Sequence, residues 1–192
     1  MKEEQNLTSE QRIAIIEQMI HTAKGNISDG SFHFLLWGWV IALANLGHYL
    51  VAVYTNYSHP ELIWVICFPA AIISGIYGHN QSKKAMMSTY TDRISKWLWV
   101  GLFPCIIVII FFGSKINFMI NPIIMLLTGY VTFQSGIIIK FKPLAIGGII
   151  FWCASIIGFM MTNENQTLVS AIAVVLGYLV PGYQLKSKYK NG

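Results

Sequence analysis

The sequence predicts an all-α fold, an integral membrane bundle of six transmembrane helices preceded by a cytoplasmic amphipathic helix. Three observations carry that prediction. Six long apolar stretches can be drawn, at roughly residues 32–54, 62–79, 97–113, 118–139, 144–161 and 168–185. Each reaches or approaches the about 20 apolar residues that a helix needs to cross a hydrocarbon layer about 30 Å thick. Charged residues make up only 11% of the chain against 55% hydrophobic, where a soluble domain carries about 25% charged residues; too few charges remain to cover a water-facing surface. The cations, finally, are sorted. Lys2, Arg12, Lys24, Lys83, Lys84, Arg93, Lys96, Lys140, Lys142, Lys186, Lys188 and Lys190 occupy the two tails and the second and fourth gaps, and Lys115 alone sits in the other three. Positive residues beside short loops stay cytoplasmic, so the pattern places both termini inside, with six passes between them. Short loops and frequent Ile, Asn and Lys suggest a bacterial inner (plasma) membrane.

The elements follow in order. Residues 1–30 read as the cytoplasmic amphipathic helix. Thr8 followed by Gln11 fits a capping box. Ile13, Ile16, Ile20 and Ala23 recur at helical spacing, widened by Ile15 and Met19, against Glu10, Gln11, Glu17, Gln18 and Thr22. Gly25-Asn26 supplies a stop, and Ser28-Asp29-Gly30-Ser31 a turn with a fresh N-cap. A helix that lies on lipid lines its polar face with lysine and arginine. Here Arg12 and Lys24 are balanced by Glu10 and Glu17. Residues 8–24 are therefore expected to dock on protein: the chain's own bundle, a second copy in a homo-oligomer, or a cytoplasmic partner.

Residues 31–186 hold the six spans. No cleavable secretion signal is apparent, because the first apolar run follows a polar, acidic tail, so that run is read as a retained span. Trp37, Trp39, Trp97 and Trp99 lie toward cytoplasmic ends, and Tyr54, Tyr57 and Trp64 toward outer ends, as interfacial aromatic belts do. Outer loops at about 55–61, 114–117 and 162–167 are short and leave no room for an external domain. The inner loop at about 80–96 is the longest, with Ser88-Thr89-Tyr90-Thr91-Asp92 offering turns and a helix cap. Residues 140–143 make a tight inner turn, with Pro143 suited to open the fifth span. Pro104 and Pro181 should kink their helices. Residues 187–192 form a short basic tail. Odd spans carry tryptophan and even spans glycine with tyrosine, a threefold rhyme that either ancestral hairpin repeats or shared membrane constraints produce.

Small residues spaced by four let helices approach closely in lipid. Ala70, Ser74 and Gly78, with Ala71 and Gly75 beside them, form the longest such run. Thr128, Thr132 and Gly136 repeat it, as do Gly38/Ala42, Gly101/Cys105, Ala154/Gly158 and Ala173/Gly177. Cys67, Cys105 and Cys153 have no ligand spacing and read as small apolar core residues.

Candidate sites are sparse. No Asp, Glu, Lys or Arg falls in the middle of a span, which argues against ion-coupled transport and against catalysis by a membrane-embedded carboxylate. No GxSxG, HExxH, Walker loop or dinucleotide fingerprint is present. The basic residues are short juxtamembrane groups, fitted to anionic lipid headgroups rather than to nucleic acid. The polar residues that remain are Asn45 with His48 one turn on, a fourth-span stripe of Thr128, Tyr130, Thr132, Gln134 and Ser135, and mid-span Trp152, whose indole N–H needs a partner. These are the candidate ligand-lining or pore-lining positions. His33 with His79, and His48 with His59, are the pairs that two bis-histidine haems would need. The reading that follows is a non-enzymatic protein with no cofactor or metal, binding membrane lipid, a small apolar ligand or a protein partner in a regulatory or scaffolding role. A small channel or uniporter past the fourth span, and a haem-binding or other membrane enzyme using the histidines, are the alternatives.

Overall fold

The computed structural model describes the backbone of residues 9–84 and 90–190 and the side chains of residues 31–80 and 93–187. The described chain is all-helical: α1 (Ser9–Tyr54), α2 (Cys67–Lys84), α3 (Tyr90–Phe111), α4 (Ile120–Ile138), α5 (Lys142–Phe159), α6 (Asn163–Val174) and α7 (Val180–Lys190). A 3₁₀ turn over Pro60–Ile66 leads into α2, a second over Gly113–Ile116 joins α3 to α4, and a π turn over Val175–Leu179 joins α6 to α7. Six segments are long and apolar enough to cross a membrane: Ser31–Tyr54, Pro60–Asn80, Arg93–Phe111, Ile120–Ile138, Lys142–Phe159 and Asn163–Ser187. Each overlaps one of the apolar stretches.

α1 corrects one expectation. The helix does not stop at Gly25-Asn26 or turn at Ser28–Ser31; it runs unbroken from Ser9 to Tyr54. Glycine inside a helix costs only about 1 kcal/mol, and asparagine and serine less. No proline lies in this stretch to break the hydrogen-bond ladder, and extending a nucleated helix is cheap compared with starting another. The apolar face expected over residues 8–24, the Thr8–Gln11 box and the cap at Ser88-Thr89 lie outside the described residues.

The tightest unit is the hairpin of α4 and α5. A side-chain carbon on Gly129 would come within 2.9 Å of the Gly148 carbonyl oxygen, and one on Gly158 within 3.1 Å of Pro122. One on Gly136 would overlap the backbone of Ala145. These contacts run antiparallel along the whole length of the pair, so glycines at helical spacing let two backbones touch. The connecting turn is closed by a paired set of hydrogen bonds. The Phe141 N–H donates to the Gly136 carbonyl at 2.8 Å, and the Lys140 N–H to the Ile137 carbonyl at 3.1 Å. This is the Schellman arrangement, which places its C′ residue in the left-handed region. Here that residue is Lys140, with φ 56°, where glycine is the unstrained choice. Lys140→Gly is therefore expected to raise stability by about 0.5–1 kcal/mol, read as an upward shift of the thermal midpoint; a downward shift means that the Lys140 side chain contributes more than its backbone strain takes away.

α6, the π turn and α7 pack across this hairpin. A side-chain carbon on Gly147 would overlap the carbonyl oxygen of Gly177. The π turn sits one turn before Pro181. Proline brings no N–H and crowds the carbonyl four residues back. Widening by one residue, with the Val180 N–H reaching back to the Val175 carbonyl, absorbs that misfit without a sharp break. The kink expected at Pro181 thus takes the form of a π turn. α1 lies antiparallel along α6 and α7: Gly38 meets Leu179, and Gly182 meets Leu35. Around Tyr178, rings from three helices converge, with Phe34 at 5.3 Å, Trp99 at 5.9 Å and Phe151 at 6.1 Å between centroids.

α2 and α3 stand at the edge. α2 rests on α1 and on the turn that precedes it, and α3 rests chiefly on α4; the two make no substantial contact with each other among the described residues. Only 6% of either span is buried inside the bundle, against 56% for the sixth.

Candidate functional site

Two regions collect the features a site needs: an apolar recess between α3 and α4, and polar side chains set into the packed faces. The recess has a volume of ≈ 420 Å³ and is lined by Pro104, Cys105, Val108, Ile109, Ile123 and Leu127, with no polar surface. Pro104 lies inside α3, where it brings no N–H to the helix ladder. The recess is an open groove on the outer surface of the bundle, with Pro104, Cys105 and Val108 exposed along it. Joined by the short turn at Gly113–Ile116, α3 and α4 run antiparallel. The recess lies toward the end opposite Lys96, Lys140, Lys142 and Lys186, called here the basic end.

The polar contacts tie α1 to α2. Toward the basic end, the Ser74 hydroxyl lies 2.8 Å from His33 Nδ1 and accepts the Trp37 indole N–H at 3.3 Å. Phe32 stacks on Tyr77 at 3.9 Å. Toward the opposite end, the Trp64 indole N–H donates to His48 Nδ1 at 3.2 Å. His48 thus works as a helix-to-helix acceptor. Asn45 is enclosed at 1% exposure; its amide N–H donates to the Ile41 carbonyl of its own helix at 2.9 Å, while its Oδ1 has no hydrogen-bond partner. His59 lies 2.9 Å from Glu61 in the exposed loop, and His79 is exposed. Among the described residues no group of three or more His, Cys, Asp or Glu side chains is arranged to hold a metal ion.

The fourth-span stripe splits around its helix. Thr132 and Ser135 are fully enclosed, Thr128 and Gln134 are half-buried, and Tyr130 is 51% exposed on the outer surface. Trp152 reaches across to α4, where its indole N–H donates to the Leu126 carbonyl at 3.2 Å. In the second span Ala70, Ser74 and Gly78 face α1, whereas Gly75 has nothing within 4 Å of a side-chain position. Gly101 stands equally free. The cysteines also depart from expectation. All three are free, Cys67 is half-buried, and Cys105 and Cys153 are exposed rather than set in the core. In a chain with apolar residues on both sides of every helix, hydrophobicity alone does not tell a packed face from an outward one.

Polar groups that the sequence reading passed over do much of the interior bonding. The Ser155 hydroxyl donates to the Pro122 carbonyl at 2.8 Å. Gln166, at 1% exposure, spans from Met161 and Asn163 to the Met119 sulfur. Its place within the stretch read as the outer loop at about 162–167 hid it; the signal was a glutamine at helical spacing from Ser170. No protein-family profile, curated protein or solved structure matches the chain.

Proposed function

We propose that this chain is a polytopic bacterial inner-membrane protein with both termini in the cytoplasm. In this reading it is not an enzyme: it binds a lipid chain or similar small apolar ligand between α3 and α4 and serves a regulatory or scaffolding role. The observation that carries this reading is the ≈ 420 Å³ recess with its wholly apolar lining. A recess without a polar group neither orients a reacting centre nor coordinates an ion; it selects by shape and by apolar area. α3 is held mainly by α4, so occupancy bears directly on where α3 sits. α1 supports the regulatory part, because one helix joins the bundle centre to the segment at residues 8–24, the expected docking surface for a cytoplasmic partner or a second copy.

Cys105 offers a direct test. With Cys67 and Cys153 replaced by alanine, oleate added to the purified protein in detergent should slow maleimide modification of Cys105 about tenfold at saturation. Leu127→Trp fills the recess and should abolish that protection. A matching protein carrying only Cys153 reports detergent effects. Equal slowing of Cys105 and Cys153, or full protection in Leu127→Trp, removes the recess from the proposal. The regulatory part stands on a second arm: deletion of residues 1–25 should change the oligomeric state or the co-purifying proteins, and no change in either removes it.

A further inference from the structure

The 3₁₀ turn over Pro60–Ile66 is lightly held. None of its residues is buried, and it packs chiefly on α1. There Ile63 lies over Gly47, where a side-chain carbon would meet it at 3.4 Å. Beside that contact the Trp64 indole N–H donates to His48 Nδ1 at 3.2 Å. Among the described residues this is the one side-chain hydrogen bond that ties the turn to α1.

An indole nitrogen donates and never accepts. The imidazole nitrogen that faces Trp64 must therefore be a bare acceptor, whichever way the ring is turned. Only the neutral ring has such a nitrogen; protonated histidine carries a proton on both. Protonation of His48 sets two N–H groups against each other and ends the bond. The link is therefore present above the range in which histidine titrates and is lost as the pH falls through it, between about pH 8 and pH 5. The charges that bear on His48 are Glu61 of the turn and Glu164 at the start of α6. Both are exposed, and Glu61 is engaged by His59 at 2.9 Å, so they act on the ring as solvent-screened charges. On its own helix the titratable groups near it are Tyr49 and Tyr54.

The tie between α1 and α2 at the basic end is built differently. Ser74 accepts the Trp37 N–H at 3.3 Å and lies 2.8 Å from His33 Nδ1. A hydroxyl both donates and accepts. It donates to a neutral His33 and accepts from a protonated one, turning its own proton to a helix carbonyl. This tie, with the Phe32–Tyr77 stack at 3.9 Å, survives a change of charge that the Trp64 bond does not.

We propose that the Trp64–His48 bond is an acid-sensitive latch. Protonation of His48 frees the Pro60–Ile66 turn from α1, and α2 stays anchored through Ser74 at the basic end. The side of the membrane whose acidity it reads, the external one, rests on the threading proposed above; the latch itself does not.

Distances between spin labels at Leu62→Cys and Asn165→Cys test it, in protein with Cys67, Cys105 and Cys153 replaced by alanine. In detergent both ends of the bundle meet the buffer, so the threading does not enter. From pH 8 to pH 5 a longer distance should appear, with the population of the released turn rising about tenfold. His48→Gln offers an amide oxygen that accepts the same N–H and does not titrate, and should remove the pH response. Trp64→Phe takes away the donor and should remove it too. One distance distribution at both pH values in the protein that keeps His48 and Trp64 means that the turn stays docked, and overturns the proposal. So does a pH response that persists in either variant, since another group then drives it. Should a variant fail to fold, the two pH values in the protein that keeps both side chains decide.

Discussion

Replacing Gly147 with alanine should lower the thermal midpoint of the purified protein by roughly 6–12 °C. The added carbon meets the carbonyl oxygen of Gly177, which is backbone and cannot swing aside as a side chain would. Relief requires α5 and the π turn to move apart, and that loosens the ring cluster around Tyr178. Forced overpacking of this kind costs about 3 kcal/mol, and each kcal/mol moves the midpoint by about 2–4 °C at this length. Gly75→Ala is the matching control. Nothing lies within 4 Å of that position, and alanine is the better helix former by about 1 kcal/mol, so the midpoint should hold or rise. If Gly147→Ala and Gly75→Ala behave alike, the close crossing of α5 with the π turn is absent from the protein in solution.

Phe151→Ala should be the next most damaging change, at about 2–3 kcal/mol. Phe151 is 1% exposed and packs against Tyr178. In a soluble core the same truncation costs about 3–5 kcal/mol, part of it the transfer of the ring from water. In the membrane setting proposed above, unfolded spans would stay in hydrocarbon and keep no such transfer term, because lipid is as apolar as the ring. What remains is the lost dispersion contact and the cavity. Ile107→Ala removes a side chain that is 66% exposed and should cost less than about 0.5 kcal/mol. Thermal midpoints of the two variants in the same detergent read the difference directly. A loss at Ile107 as large as that at Phe151 would falsify the assignment of inner and outer faces.

The number, order and approximate limits of the six apolar spans were legible in the sequence because each depends on length and local composition. Phe32 through Tyr54 is apolar long enough to be recognised whatever it touches. Faces were less legible. The run of Ala70, Ser74 and Gly78 does meet α1, yet the deepest backbone crossings involve Gly129, Gly136, Gly147, Gly148 and Gly177. Gly147 and Gly148 are adjacent in sequence but serve two different neighbours, a pattern that spacing by four does not pick out. The α1 boundary was misread because stop signals such as Gly25-Asn26 act by small free energies, which a favourable continuation overrides. The polar stripe of the fourth span was read as one surface, although a step of 100° per residue carries Tyr130 and Thr132 to different sides. The recess at Pro104 was legible only as a bend; its volume depends on how α3 and α4 meet.

The first span and the last are neighbours in space. α1 lies along α6 and α7, and Asn45 of α1 is enclosed at 1% exposure. During synthesis α1 therefore leaves the ribosome with its final partner still untranslated, roughly 110 residues away. At a translation speed of about 5–20 residues per second, the first helix waits some seconds for that partner. Its early companion is α2, joined to it by the serine and histidine bonds near the basic end. The bonds to α2 are thus the first tertiary contacts open to α1, and those to α6 and α7 the last.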